Sequence, residues 1–177
     1  TSICGYIELL KEDGVRDDQR SYLEVVDRNS ARLLSLVEDL LLMAQIQSGG
    51  LPLELGEAIL NDLIARSSET ARPFAASKEI ELEIDAEPNI ATEGDAGRLS
   101  QVVDNLVSNA IKYTPNGGGV SITMTRAGET ATIAVSDTGI GIPKDERDQM
   151  FSRFFRTSNA RISGIEGTGL GLAITRG

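Results

Sequence analysis

The sequence predicts an α+β protein: an N-terminal helical hairpin that forms a dimeric four-helix bundle, followed by a two-layer α/β sandwich. Three observations carry that expectation. Residues 18–47 repeat apolar side chains at helical spacing; Gly49, Gly50 and Pro52 then stop the pattern; beyond them, strand-like alternation and helix-like stripes follow one another in mixed order. The expected domains are residues 1–50 and 51–177.

In the first domain, Val26, Asn29, Leu33, Leu36, Leu40 and Met43 recur at spacings of 3, 4, 3, 4 and 3, a coiled-coil seam with one polar position at Asn29. Leu34, Val37, Leu41 and Ala44 form a second stripe beside it, so the apolar face is wider than one neighbour can cover. The preceding TSICGYIELLKEDG sets Ile3, Ile7 and Leu10 on one face and ends at Gly14, a helix stop. Two helices of unequal length cannot bury both stripes, whereas two copies of the hairpin can. A homodimer through residues 1–48 is the expectation; packing of the stripes onto the rest of the same chain is the alternative.

After the break, EAILNDLIARSSETARPFA reads as a helix interrupted near Pro73, and EIELEIDA as a half-buried strand with Ile80, Leu82 and Ile84 inward. IATEGD is a short strand leading into a helix over 95–113. GVSITMTRAG and TATIAVSDTG are two strands joined by a turn at Gly128. Residues 138–166 hold glycine and polar residues with little periodicity, too long for an ordinary connection, and suggest a functional flap. A last helix opens near Gly169.

Composition narrows the function. A formal charge of −10 argues against a surface that tracks a phosphate backbone, so nucleic acid is not an expected partner. The sequence has no histidine, which removes imidazole chemistry from this chain. The lone Cys4 reads as a small buried hydrophobe. The longest apolar run, LLLMA at 40–44, is far shorter than the ~20 residues of a membrane span. The expectation is a cytoplasmic location with no membrane contact from this chain itself, any tether lying in segments outside it.

Four stretches carry chemistry. In DNLVSNAIKYTP, Asn105 and Asn109 lie one helical turn apart beside an apolar stripe, followed by Lys112 and Tyr113. An amide oxygen can hold magnesium without adding charge beside a triphosphate, since that cation takes oxygen ligands and keeps waters and substrate phosphates. The group describes a Mg-nucleotide wall: Asn109 on the metal, Asn105 on water or phosphate, Lys112 on phosphate, Tyr113 against base or ribose. Amides that merely cap neighbouring loops would read the same.

Asp137 ends an apolar strand before Thr138, Gly139, Ile140 and Gly141. A carboxylate at a buried strand end can accept from the adenine amine, with glycines admitting a flat ring; a turn residue is the plainer reading. DTG also marks aspartic proteases, but that leaves the other stretches unexplained. GTGLGLA spaces Gly167, Gly169 and Gly171 before a helix start, where backbone N–H groups of 167–171, Thr168 and Leu170 included, could meet phosphate, with Leu170 and Leu172 packed inward. A lid hinge is equally compatible. FSRFFR offers Phe151, Phe154 and Phe155 as flap anchors, with Arg153 and Arg156 beside them for a terminal phosphate.

Together and in this order, DNLVSNAIKYTP, SDTGIGIP, FSRFFR and GTGLGLAIT resemble the four nucleotide boxes of the sensor histidine kinase ATP-binding domain, a Bergerat-type fold. Residues 51–177 carry that resemblance, and the hairpin resembles the family's dimerisation and phosphotransfer domain. The resemblance implies ATP and Mg2+ as cofactors and Asn109 as the Mg ligand, with Asn105 beside it. It implies Lys112 near the phosphates, Tyr113 at the nucleoside, Asp137 on the adenine amine and Gly139 and Gly141 in its pocket. Arg156, Arg153 and the 167–171 backbone would then serve the phosphates. It further implies a homodimer and a response-regulator receiver domain as partners.

The family's phospho-acceptor histidine lies in a segment resembling HELRTPL, which would precede Thr1, and its fold continues past the last helix into further strands. Truncation at both ends is therefore expected. In gyrase-type relatives of this fold a glutamate activates water one turn before the metal asparagine; here that turn carries Asn105, an amide unable to accept a proton. Asp104 points about 100° away from it and is expected solvated or paired with Arg98. Hydrolysis should be slow, and transfer to histidine and then to a regulator aspartate is the leading reading. The alternatives are a Bergerat-type ATPase and a noncatalytic nucleotide-binding regulatory dimer.

Overall fold

The structure is a computed structural model that describes residues 10 and 17–176. The chain divides into two compact units, Thr1–Gly50 and Leu51–Gly177. The expected first helix and Cys4 lie outside the described residues, apart from Leu10.

In the first unit, helix α1 runs Asp17–Gln47. Its end is closed by Ser48, Gly49 and Gly50 N–H groups donating to the carbonyls of Ala44, Ile46 and Gln45, with Gly49 at φ +65°. Both expected stripes lie on this helix, and Val26, Leu33, Leu34, Val37, Leu40 and Leu41 are exposed in the single chain. Asn29 donates to the Val25 carbonyl at 2.9 Å, one turn back along its own helix.

The second unit is built from β1 (Gly56–Ile59), α2 (Leu60–Ser77), β2 (Glu81–Ala86), β3 (Ala91–Gly94), α3 (Ala96–Tyr113), β4 (Gly119–Ala127) and β5 (Thr130–Asp137). After them come a 3-10 turn at Lys144–Gln149 and two short helices, α4 (Ser158–Ile162) and α5 (Gly171–Arg176). Strands β1 and β3 pair antiparallel; β2, β4 and β5 form a second sheet in that order, β2 parallel and β5 antiparallel to β4.

Alternation explains the layering. Val120, Ile122 and Met124 on β4 are buried, and register places Leu82 and Ala86 of β2 and Val135 and Ile133 of β5 opposite them. Against that face lie Leu60, Leu63, Ile64, Ala71 and Ala75 of α2 and Val103, Val107, Ala110 and Ile111 of α3. Each buried leucine, isoleucine and valine among them contributes about 1.5–3 kcal/mol on burial, and each alanine less. This is the expected two-layer sandwich.

Three local expectations change. GEAI, whose last three residues the apolar spacing assigns to the following helix, is the strand β1, and its mate is β3. Pro73 does not interrupt α2, which continues to Ser77. Pro73 and Glu69 are exposed, so water can satisfy the Glu69 carbonyl that proline leaves without a donor. Ile84 is exposed on the edge strand β2, although its register partner Ile122 is fully buried.

Candidate functional site

Helix α3 is the frame of the site, and both of its ends are fixed. At the start, Asp95 accepts from the N–H of Arg98 and of Glu54, each at 3.0 Å. Those bonds hold its carboxyl below the ordinary carboxylate range, Arg98 contributing most. At the end, the buried Thr114 donates through its hydroxyl and its N–H to the Ala110 carbonyl. The Tyr113 carbonyl accepts from Ile140 N–H at 3.1 Å, so the loop after β5 is tied to the helix.

The wall residues lie on one side of this frame. Asn105, Asn109, Lys112 and Tyr113 are all half-buried. Asn105 Nδ2 reaches the Gly171 carbonyl at 3.5 Å, bringing the start of α5 against the wall. Lys112 Nζ stands 5.3 Å from the centre of the Tyr113 ring, and a methyl group added at Gly167 would come within 2.7 Å of that nitrogen. Among the described residues, the Asn109 amide makes no hydrogen bond. A half-buried amide with both ends open suits a ligand-facing position.

Asp137 shares a register position with Val120 on the helix-facing side of the sheet, yet it is exposed, which corrects the expectation of a buried strand end. Its register partner Val120 is buried, so exposure belongs to the end of β5 and not to the neighbouring strand. Asp137 Oδ1 accepts from Gly139 N–H at 2.9 Å. Gly139 is required by space: a Cβ would sit 2.5 Å from that oxygen and 2.6 Å from the Tyr113 carbonyl oxygen. Thr138 closes the loop against β4, its hydroxyl accepting from Gly119 N–H at 2.9 Å and its N–H donating to the Gly119 carbonyl at 3.0 Å.

The flap contains more structure than expected, but its aromatic residues do not anchor it as a group. Phe151 and Phe154 are 38% and 59% exposed, and Phe155 is half-buried. Phe154 adopts φ +58°, unusual for a bulky residue. Phe151 is instead faced by Arg176, 5.5 Å from its ring centre. Anchoring falls to Ala160 and Leu170, both buried, and to Asn159. The Asn159 amide donates to the carbonyls of Ile140 at 2.9 Å and Gly141 at 2.8 Å, joining α4 to the loop after Asp137.

The glycine stretch meets the flap directly. Gly169 has φ +72°, and a Cβ there would lie 2.7 Å from the Phe154 carbonyl carbon and from the Phe155 oxygen. Leu170 N–H is taken by the Thr168 hydroxyl at 3.2 Å, so that amide is committed within the loop. Arg156 donates through a terminal nitrogen to the Ile165 carbonyl, and among the described residues its buried Nε has no hydrogen-bond partner. Arg153 is exposed.

The contacts thus gather Asn105, Lys112 and Tyr113 with Gly139, Ile140, Gly167 and Gly171. Asp104 is exposed and accepts from the Ser100 hydroxyl at 3.4 Å, while Arg98 donates to Gln101 instead of pairing with it. With Phe74, Lys78 and the wall residue Lys112, Asp104 lines a groove of about 590 Å³ between α2 and α3. Asn159 was not foreseen because nothing in residues 138–166 is periodic. Thr138 was legible only as part of DTG.

A sheet covered by two helices, one of them an amide-bearing wall closed by an Asp-Thr-Gly loop and a glycine stretch, defines an ATP-binding domain of the histidine kinase type. Residues 94–177 match the family of histidine kinase-, DNA gyrase B- and HSP90-like ATPases, and residues 1–49 match the His kinase A phospho-acceptor domain. The sensor-like histidine kinase SenX3 of Mycolicibacterium smegmatis is 36% identical over 160 residues, 90% of this chain and 42% of SenX3. The structure of the mycobacterial sensor histidine kinase MprB is 34% identical with a TM-score of 0.59, covering 68% of this chain and 75% of that one. Full-length ShkA in complex with AMPPNP is 32% identical with a TM-score of 0.78, covering 97% of this chain and 36% of ShkA. The chain belongs to the sensor histidine kinase family. It spans between 21% and 42% of the length of the curated relatives it matches.

Proposed function

We propose that this chain is the Mg-ATP-binding core of a sensor histidine kinase, whose γ-phosphoryl group passes to a histidine outside the chain and then to a response-regulator aspartate. The observation that carries this reading is the wall itself. Asn105 is held against Gly171 and Asn109 is open, while the neighbouring carboxylate, Asp104, is exposed and engaged with Ser100. No residue of the wall can take a proton from water, so bound ATP should persist until a better nucleophile arrives.

Phosphoryl transfer asks mainly for positioning and charge compensation. In the proposed roles, Asn109 offers an amide oxygen to magnesium, which when bound would screen the triphosphate charge. Among the described residues no three of His, Cys, Asp or Glu gather into a cage, a donor set that suits a cation arriving with its phosphates and waters. Lys112, and Arg156 and Arg153 from the flap, would attract the phosphates. Tyr113 would contact the nucleoside, and Asp137 would accept from the adenine amine with Gly139 and Gly141 beside it. The backbone of Gly167, Thr168, Gly169, Leu170 and Gly171 would border the phosphates. When an imidazole nitrogen bonds to Pγ, the bond from Pγ to the β–γ bridging oxygen breaks, ADP leaves and the imidazole proton passes to solvent.

The exposed stripes of α1 and the phospho-acceptor match over residues 1–49 support a homodimer and a receiver-domain partner. Among the described residues no helix is long and apolar enough to cross a membrane.

The test is calorimetric titration of Mg-ATP. Asn109→Ala and Asp137→Asn should each weaken binding by about 100-fold, the scale of a lost charge-assisted contact of ~3 kcal/mol, with circular dichroism unchanged. Wild-type affinity in both variants would remove the assignment.

A further inference from the structure

We propose that Lys78 is a positioning residue for nucleotide binding, acting as a clamp on the C-terminal end of α3. This rests on the ATP-binding reading above. Lys78 follows the last residue of α2, and its ammonium donates to the Ile111 carbonyl at 2.8 Å, the Lys112 carbonyl at 3.1 Å and the Thr114 carbonyl. An ammonium has three donors and no acceptor, so the three carbonyls use its full capacity.

The placement matters because a helix ends with carbonyls that have no partner of their own. In α3 they are shared between two directions. Thr114 closes Ala110, Lys78 takes Ile111, Lys112 and Thr114 from the α2 side, and Ile140 N–H takes Tyr113 from the loop after β5. The two wall residues nearest the helix end, Lys112 and Tyr113, therefore sit between Lys78 and the Asp137 loop. A positive group at this pole also opposes the negative end of the helix dipole.

Lys78 is itself held. Its N–H donates to the Ala75 carbonyl at 3.1 Å, and its carbonyl accepts from Gly117 N–H at 3.0 Å, at the approach to β4. The side chain is half-buried, so water competes weakly for the three carbonyls. An arginine would present a planar fork in place of a point charge with three rotatable donors, a poor match to three carbonyls from one helix end.

Without the clamp, the last turn of α3 should fray and the Tyr113–Ile140 bond should weaken with it, although neither group touches Lys78. The test uses the full chain with Lys78→Met and Lys78→Gln, reading Mg-ATP affinity by calorimetry and amide hydrogen exchange by NMR. Lys78→Met should raise the Kd about tenfold and speed exchange at Ile140, while Ile122 and Met124 in the central strand keep their protection. Lys78→Gln, which retains an amide donor, should fall between Met and wild type in both readouts.

Wild-type affinity and wild-type protection at Ile140 in Lys78→Met overturn the proposal. If that variant loses protection at Ile122 as well, Lys78→Gln decides: faster exchange confined to the α3 end and Ile140 supports the clamp, and unchanged exchange there overturns it. Should wild-type protein bind no Mg-ATP, the nucleotide reading fails on its own, and the exchange at Ile140 still reports whether Lys78 holds the helix end.

Discussion

The α3 wall and the segment from Thr138 to Leu170 face the same proposed ligand but are built in opposite ways. The wall rests on Val103, Val107, Ala110 and Ile111 buried in the sandwich core, and its ends are closed by Asp95, Thr114 and Lys78. The segment has one 3-10 turn and a five-residue helix, leaves Phe151 and Phe154 exposed, and depends on a few point attachments at Asn159, Ala160 and Leu170. One half of the site is fixed by the fold. The other half is fixed by a few side-chain and backbone contacts, the kind of local attachment that opens more readily than a packed core.

This contrast can be broken or sharpened by substitution. The largest effect should come from Leu63→Ala in the core beneath the wall, where a fully buried leucine is removed. A loss of about 2–5 kcal/mol in urea denaturation is expected, with cooperative unfolding of the whole sandwich. Next comes Gly169→Ala. Its positive φ and the 2.7 Å approach to Phe154 and Phe155 predict about 1–3 kcal/mol of strain. Because that strain falls where the glycine stretch meets the flap, weaker Mg-ATP binding should accompany a smaller change in the denaturation midpoint than Leu63→Ala gives. Phe154→Ala should be smallest, within about 0.5 kcal/mol in stability. A Phe154→Ala protein as destabilised as Leu63→Ala would show that the flap is part of the core after all.

The same division decides what could be read in the sequence. DNLVSNAIKYTP was legible because a core helix must repeat its apolar residues, and the two amides stand out against that repeat. The sheet was legible for the same reason: Val120, Ile122 and Met124 alternate because one face is buried. β1 was lost because its short apolar run continues without a break into Leu60 and Leu63 of α2, and only pairing with β3 separates strand from helix. Pro73 looked like a break because local chemistry cannot tell a solvated helix face from a buried one.

At the site, residue types and spacing marked the glycines and Asp137, but not the exposure of Asp137 or the outward position of Phe154. Those depend on tertiary placement, which residue type and spacing do not carry. Lys78 and Asn159 carried no signal, since each acts on carbonyls more than fifteen residues away in sequence, Lys78 on the end of α3 and Asn159 on Ile140 and Gly141.

The parallel pairing of β2 with β4 sets an order of events on a nascent chain. Glu81 finds its register partner only when Gly119 has left the ribosome, after all of β3 and α3 have been made. Closing that long loop is costly before any packing rewards it, whereas β4 and β5 can zip as a local hairpin through Gly128. Helix α3 must therefore wait, its sheet-facing side uncovered, until the strands that shelter it have been synthesised.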